Sequence, residues 1–285
     1  MSRKPDNRQS QVRMKQRLQW ALYLSCAALI VAGWAVSRNT KAAAKPRHTS
    51  VDDDMIERLT EVRMPDGITS ELLSYVGFTV NFNNDMHQPN YVVWELKASE
   101  ADGDESRKSK FLTDYRVQGC AADADYRRSG FDRGHMAPAG DMKWSAEAMT
   151  DCFYFTNISP QDGKLNSGVW NKLEAKCRQW ARRDSSLIIV CGPILSDELT
   201  QTIGATAIPV PKRFFKVVLA PYANPQRAIG FIMNNGYVEG GMQAAAVPVD
   251  EVERITGFDF FSALPDSVEN IIEAQCKFSQ WTLAQ

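Results

Sequence analysis

An α+β fold is predicted for the 285-residue chain, because strand-type apolar runs and stretches of helical periodicity occupy separate segments, with no internal repeat and no linker inside the globular part. Three observations carry this expectation. Phe78, Val80 and Phe82 alternate with polar residues, and Tyr91 to Ala98 (YVVWELKA) is rich in β-branched and aromatic side chains, so two adjacent strands are expected across the turn-rich Asn83 to Asn90. Leu187 to Val190, Phe214 to Leu219 and Ala228 to Met233 are short apolar runs suited to strands buried on both faces of a mixed or antiparallel sheet. Between Asn166 and Arg183, Trp170, Leu173, Cys177 and Trp180 recur at intervals of three and four, the spacing of an amphipathic helix.

In chain order, residues 1–17 hold six basic side chains and one acid. Residues 18–36 (LQWALYLSCAALIVAGWAV) carry no charge, and at ~1.5 Å per residue such a run nearly crosses a bilayer core of about 30 Å. A transmembrane signal-anchor is therefore expected there, with the basic N-terminus cytoplasmic and the rest periplasmic or extracellular. Ala42 to Ala44 offers a cleavage site as an alternative, and the Arg-rich, acid-poor first fifty residues also suit a mitochondrial presequence leading to the inner membrane or intermembrane space. Residues 37–50 read as a basic linker broken by Pro46, and residues 51–285 as one domain. Within it, charged Ala101 to Lys110 reads as a surface loop, and Asp250 to Ile255 and Val268 to Cys276 as helices.

The net charge of −1 hides an asymmetry: residues 1–50 contain ten Lys or Arg against one Asp, leaving 23 positive and 33 negative charges in the remainder. A body this acidic excludes nucleic-acid binding by bulk electrostatics, so any such binding needs a local basic cleft helped by a metal ion. The absence of a C-x-x-C spacing argues against a structural zinc or thioredoxin-like site. The five cysteines beyond Cys26 lead one to expect, in an oxidising compartment, one or two disulfides and a leftover thiol, with pairing unassigned.

Chemistry concentrates in Gly130 to Met142 (GFDRGHMAPAGDM) and Asn157 to Glu174 (NISPQDGKLNSGVWNKLE). Arg133 offers a planar fork for phosphate oxygens and His135 a base near neutrality, on either side of Gly134, where the backbone can turn or approach a ligand closely. Of the other histidines, His48 in the linker and His87 in a polar loop read as structural, and Arg133 has a competing reading as an ion pair with Asp132 or Asp141. Asn157, Asn166 and Asn171 double as turn or cap residues. If Asn166 and Glu174 share one helix, they lie roughly 80° apart in azimuth and ~12 Å apart along the axis, so both could hardly ligate one ion directly. An Mg²⁺ ion keeps waters, through which the second could act.

These motifs, Asp132-Arg133-Gly134-His135, then Asn157-Ile158-Ser159-Pro160-Gln161, then Leu165-Asn166 with Trp170 and Leu173-Glu174, closely resemble the DNA/RNA non-specific endonucleases. The resemblance extends over the strand pair Phe78 to Ala98 and over Trp144 to Asn157. It implies a ββα-metal nuclease fold that hydrolyses phosphodiester bonds of DNA and RNA with little sequence preference. It further implies His135 as general base, Asn166 as direct ligand of Mg²⁺ or Mn²⁺, Glu174 as holder of a metal-bound water, and Arg133 and Asn157 as supports for site and substrate. Arg107 is the best match for an upstream phosphate-binding arginine, beside Lys108 and Lys110. Expected partners are DNA and RNA, the membrane through residues 18–36, and a second copy of the chain. The competing expectation is a catalytically weak nucleic-acid-binding protein of the cell envelope, which the intact His135 disfavours.

Overall fold

The computed structural model describes residues 50–282. The basic N-terminus, the apolar run 18–36, and all but the last residue of the linker, including His48, lie outside the described residues. Among the described residues no helix is long and apolar enough to cross a membrane.

Helix α1 (Ser50–Leu59) precedes the antiparallel strands β1 (Glu71–Tyr75), β2 (Phe78–Asn83) and β3 (Gln88–Lys97). After the extended 101–110 loop come α2 (Asp123–Tyr126), β4 (Asp132–His135) and α3 (Ala146–Asp151); a 3₁₀ turn (Phe155–Asn157) then leads into β5 (Ile158–Gln161). A π-helical segment (Leu165–Trp170) runs into α4 (Asn171–Asp184). Strands β6 (Ser186–Pro193), β7 (Thr202–Ile203), β8 (Ile208–Pro209), β9 (Arg213–Ala220) and β10 (Arg227–Asn234) follow. The chain closes with α5 (Gly241–Ala245), β11 (Ala246–Val247), α6 (Val249–Thr256), α7 (Asp266–Ile272) and α8 (Ser279–Thr282).

Seven strands form one antiparallel sheet in the order β1-β2-β3-β6-β9-β10-β11. All five strand runs read from the sequence lie in it, as β2, β3, β6, β9 and β10. Because side chains alternate across a strand, the register divides the core into two. On one face Phe82, Val92, Trp94, Ile189, Phe214 and Val218 pack with Trp170, Leu173, Cys177 and Trp180. On the other, Tyr91, Val93, Val190, Phe215 and Val217 pack with Leu59, Val249, Val252 and Phe260. Burial on both sides is why the central strands read as continuous apolar runs.

Three expectations need correction. Asn166 to Arg183 is not one α-helix, because it starts in the π-helical segment Leu165–Trp170 and Gly168 inside that segment has non-helical angles (φ −97°, ψ −116°) that kink it ahead of α4; the eight-residue azimuth between Asn166 and Glu174 therefore does not apply. The last expected helix starts two residues early and stops at Ile272, before Cys276. No disulfide forms among the described residues: Cys120, Cys152, Cys177, Cys191 and Cys276 are free thiols. Cys152, Cys177 and Cys191 are spent as core packing, and the Cys152 and Cys191 thiols donate to the carbonyls of Met149 and Met136 (both 3.3 Å).

Candidate active site

The site grows from a two-stranded antiparallel ribbon in which β4 is the segment Asp132-Arg133-Gly134-His135 and β5 is Ile158-Ser159-Pro160-Gln161. Gly134 is needed for a close approach, though not to a ligand: a Cβ there would lie 2.2 Å from Gln161 Oε1. Past the strand, Asn157 pins the chain. Its Oδ1 accepts from Ala137 N (2.9 Å), and its amide donates to the carbonyls of Ala137 (2.9 Å) and Cys152 (2.8 Å). Both amide hydrogens are thus used on backbone, and Asn157 is fully buried.

His135 is 7% exposed. Phe153 meets its ring edge-on at 4.9 Å and Phe111 lies at 5.3 Å, while Trp170 Nε1 donates to its carbonyl (3.3 Å). Its Nε2 is buried without a hydrogen-bond partner. Burial, reinforced by the charge of Arg107, holds its pKa down to about 3, which keeps the imidazole neutral with its Nε2 lone pair open, and makes it a weaker base than a free histidine.

The metal-type donors Asn166 and Glu174 come from the following elements. Asn166 Nδ2 donates to Asp132 Oδ2 (3.0 Å), tying the π-helical segment to the start of β4. That bond orients the amide and leaves Oδ1 as its ligand atom. Glu174, in the first turn of α4, is half-buried. Burial pushes its carboxyl up to about 7; Asp141 adds to the shift, and Lys216, Arg178 and Arg107 oppose it. A carboxylate strained in this way and an oriented amide oxygen are hard donors that suit Mg²⁺ or Mn²⁺, which bind few protein ligands and retain waters.

Arg107 lies in the exposed loop, its guanidinium carbon 5.2 Å from the centre of the Phe153 ring that abuts His135; Lys108 and Lys110 are exposed beside it. Arg133 is anchored on the flank. It pairs with Asp123 (Nη2 to Oδ1 2.7 Å), not with Asp132 or Asp141, and lies over the rings of Phe111 (5.6 Å) and Tyr126 (5.7 Å). Arg107 thus acts on both His135 and Glu174, Asn166 is tied to Asp132, three residues before His135, and Arg133 is held by Asp123.

Sequence reasoning missed the charged layer beneath Glu174. Lys216 of β9 is 1% exposed, with its ammonium 4.4 Å from the Trp170 ring centre and 5.2 Å from that of Trp94. Burial alone would lower its pKa, but Cys191, Glu174, Cys177 and Asp141 outweigh burial and raise it. Asp141 accepts from Arg178 (2.7 Å) and from Trp94 Nε1 (3.2 Å). The available signal was the lysine inside FFKVVL, since a charge in a buried strand needs partners.

Residues 57–267 match the family model described as DNA/RNA non-specific endonuclease. Among relatives, "Nuclease EXOG, mitochondrial" of Danio rerio is 34% identical over 207 residues, covering 67% of this chain and 60% of that protein. The Mus musculus protein of the same name is 31% identical over 277 residues, covering 87% and 72%. "Endonuclease G, mitochondrial" of Homo sapiens is 34% identical over 185 residues, covering 60% and 62%. The match thus spans less than two thirds of the length of the zebrafish and human relatives. A crystal structure of an EndoG/EndoGI complex aligns with a TM-score of 0.66 at 25% identity, covering 76% of this chain and 94% of that one.

Proposed function

The chain belongs to the DNA/RNA non-specific endonuclease family, and from that premise we propose that it is a metal-dependent nuclease cleaving phosphodiester bonds of DNA and RNA, with β4, β5 and the helix that follows as a ββα-metal site. The observation that carries this reading is His135: a buried, neutral imidazole with an unpartnered Nε2, next to an exposed arginine. In the proposed mechanism, Nε2 accepts a proton from the water that attacks phosphorus in line. Arg107, held at Phe153, draws a phosphate oxygen toward the base. Asn166 Oδ1 would hold Mg²⁺ or Mn²⁺ directly and Glu174 would steady it through water; when bound there, such a cation would supply positive charge to offset that on the phosphate and the departing 3′ oxygen. Contacts to phosphate rather than base edges give little sequence preference. The mitochondrial names of the relatives and the Arg-rich first fifty residues support a mitochondrial inner-membrane or intermembrane-space location over a cell envelope.

The test is digestion of plasmid DNA and of RNA by the purified protein in Mg²⁺, beside His135→Ala and an EDTA control. Loss of general-base catalysis predicts a fall of about 10²–10⁴-fold for His135→Ala, and chelation should abolish cleavage. Equal cleavage by the variant would sink the mechanism. Nucleic-acid binding without cleavage by the unmodified protein would favour the weak binding protein instead.

A further inference from the structure

On the sheet face opposite His135, the C-terminal helices gather three carboxylates that the nuclease reading does not use. Asp250 and Glu253 stand three residues apart on α6, and so on one side of it, while Glu273 directly follows α7. One oxygen from each lies within 4.8 Å of the other two, a separation that fits oxygens arranged around a cation at about 2.3–2.6 Å from each. Backbone bonds hold the group in place: Asp250 N donates to Glu273 O (3.3 Å), and Phe260 N donates to Glu253 Oε1 (2.9 Å), leaving Glu253 Oε2 for another partner.

Spacing alone would not make a site, because acidic groups often cluster on surfaces. Glu273 supplies the independent observation: it is 4% exposed, and its Oε1 is buried with no hydrogen-bond partner. Buried carboxylate oxygens are ordinarily hydrogen-bonded, paired or metal-bound. The charges acting most strongly on Glu273 are those of Glu253, Glu269, Asp250 and Asp259, all acids. The bases nearby are engaged elsewhere, Arg63 with Asp259 (3.3 Å) and Arg254 with Glu251 (2.6 Å).

We propose that Asp250, Glu253 and Glu273 form a second divalent-cation site that takes Ca²⁺ and clamps the start of α6 to the end of α7. Three carboxylates without nitrogen or sulfur select a hard cation over zinc or copper. The exposed side, at Asp250, admits the waters that complete the flexible coordination shell of Ca²⁺. The site is independent of the nuclease reading, since it shares no residue with it.

Calorimetric Ca²⁺ titration and thermal unfolding of the full chain test this, alongside Asp250→Asn, Glu273→Gln and Asn166→Ala. The expected result is one Ca²⁺ bound by the unmodified protein, with a rise in unfolding temperature, and the same site retained in Asn166→Ala. Asp250→Asn, at an exposed position where folding is not at risk, should weaken Ca²⁺ binding by ~tenfold or more and leave Mg²⁺-supported cleavage unchanged. Ca²⁺ binding unaltered in both Asp250→Asn and Glu273→Gln would overturn the proposal. So would an Asn166→Ala protein that takes up no Ca²⁺ at millimolar concentration, or stability that responds to acid but not to Ca²⁺, which would mean a shared proton instead of a cation.

Discussion

Consecutive residues of β9 face different interiors. Phe215 packs with Phe258 (6.1 Å between ring centres) and Phe260 (5.8 Å) on one side of the sheet, while Lys216 lies among Trp94, Trp170, Asp141 and Glu174 on the other. Both faces are dry. On the Phe215 face, the acids Asp250, Glu253 and Glu273 gather on the covering helices, and among the described residues no strand there buries a charge as fully as Lys216 is buried. On the Lys216 face, charge sits in the middle of the core. Burying it costs free energy that apolar packing would not, and that cost is offset by the acids Glu174 and Asp141.

The largest effect should come from Lys216→Met. Removing the cation leaves Arg178, itself paired with Asp141 (2.7 Å), and Arg107 to offset Glu174 and Asp141, and a buried charge that loses its counter-charge costs about 3–5 kcal/mol; denaturant unfolding should show that loss together with a fall in cleavage per folded molecule. A fully active Lys216→Met protein would erase the contrast between the faces. Phe215→Ala, one residue away, should also lose about 3–5 kcal/mol from a cavity, yet keep its activity per folded molecule.

Asn157→Ala tests the scaffold role. Leaving Ala137 N and two carbonyls without their partners should cost about 2–3 kcal/mol and lower activity, with little change in affinity for uncleaved nucleic acid. A selective loss of binding would instead make Asn157 a substrate contact. The smallest effect belongs to the far face. Burial raises the Glu253 carboxyl to about 7, from an ordinary value near 4.5. Its contribution to stability is therefore complete below about pH 4.5 and is lost as pH rises through about 7. In EDTA, Glu253→Gln should be more stable than the unmodified protein by about 1–2 kcal/mol at pH 8, after allowance for solvent screening, and no more stable at pH 4.5. An equal difference at both pH values would show that its proton is not involved.

Much of this was visible in the chain itself. The five central strands follow from apolar runs whose length and composition are local properties, and α6 appears where the helical spacing put it. Of the candidate site residues, His135, Asn166 and Glu174 were named from motif chemistry and Arg107 from the family resemblance alone. The ribbon strands β4 and β5 were not, because DRGH and ISPQ have neither alternation nor strand propensity, and they pair only because the rest of the fold brings them together.

By itself, the sequence determined which segments are buried, where helical and extended periods change, and which residue types could do phosphate chemistry, because these depend on neighbours a few positions apart. Tertiary structure alone decided the partners: Asp132 with Asn166 across 34 residues, Arg133 with Asp123 instead of a nearer-seeming aspartate, Lys216 under Glu174, and Glu273 against Asp250 and Glu253. Each joins groups from separate elements, and charges and hydrogen bonds act through distance in space, which no local period in the chain encodes.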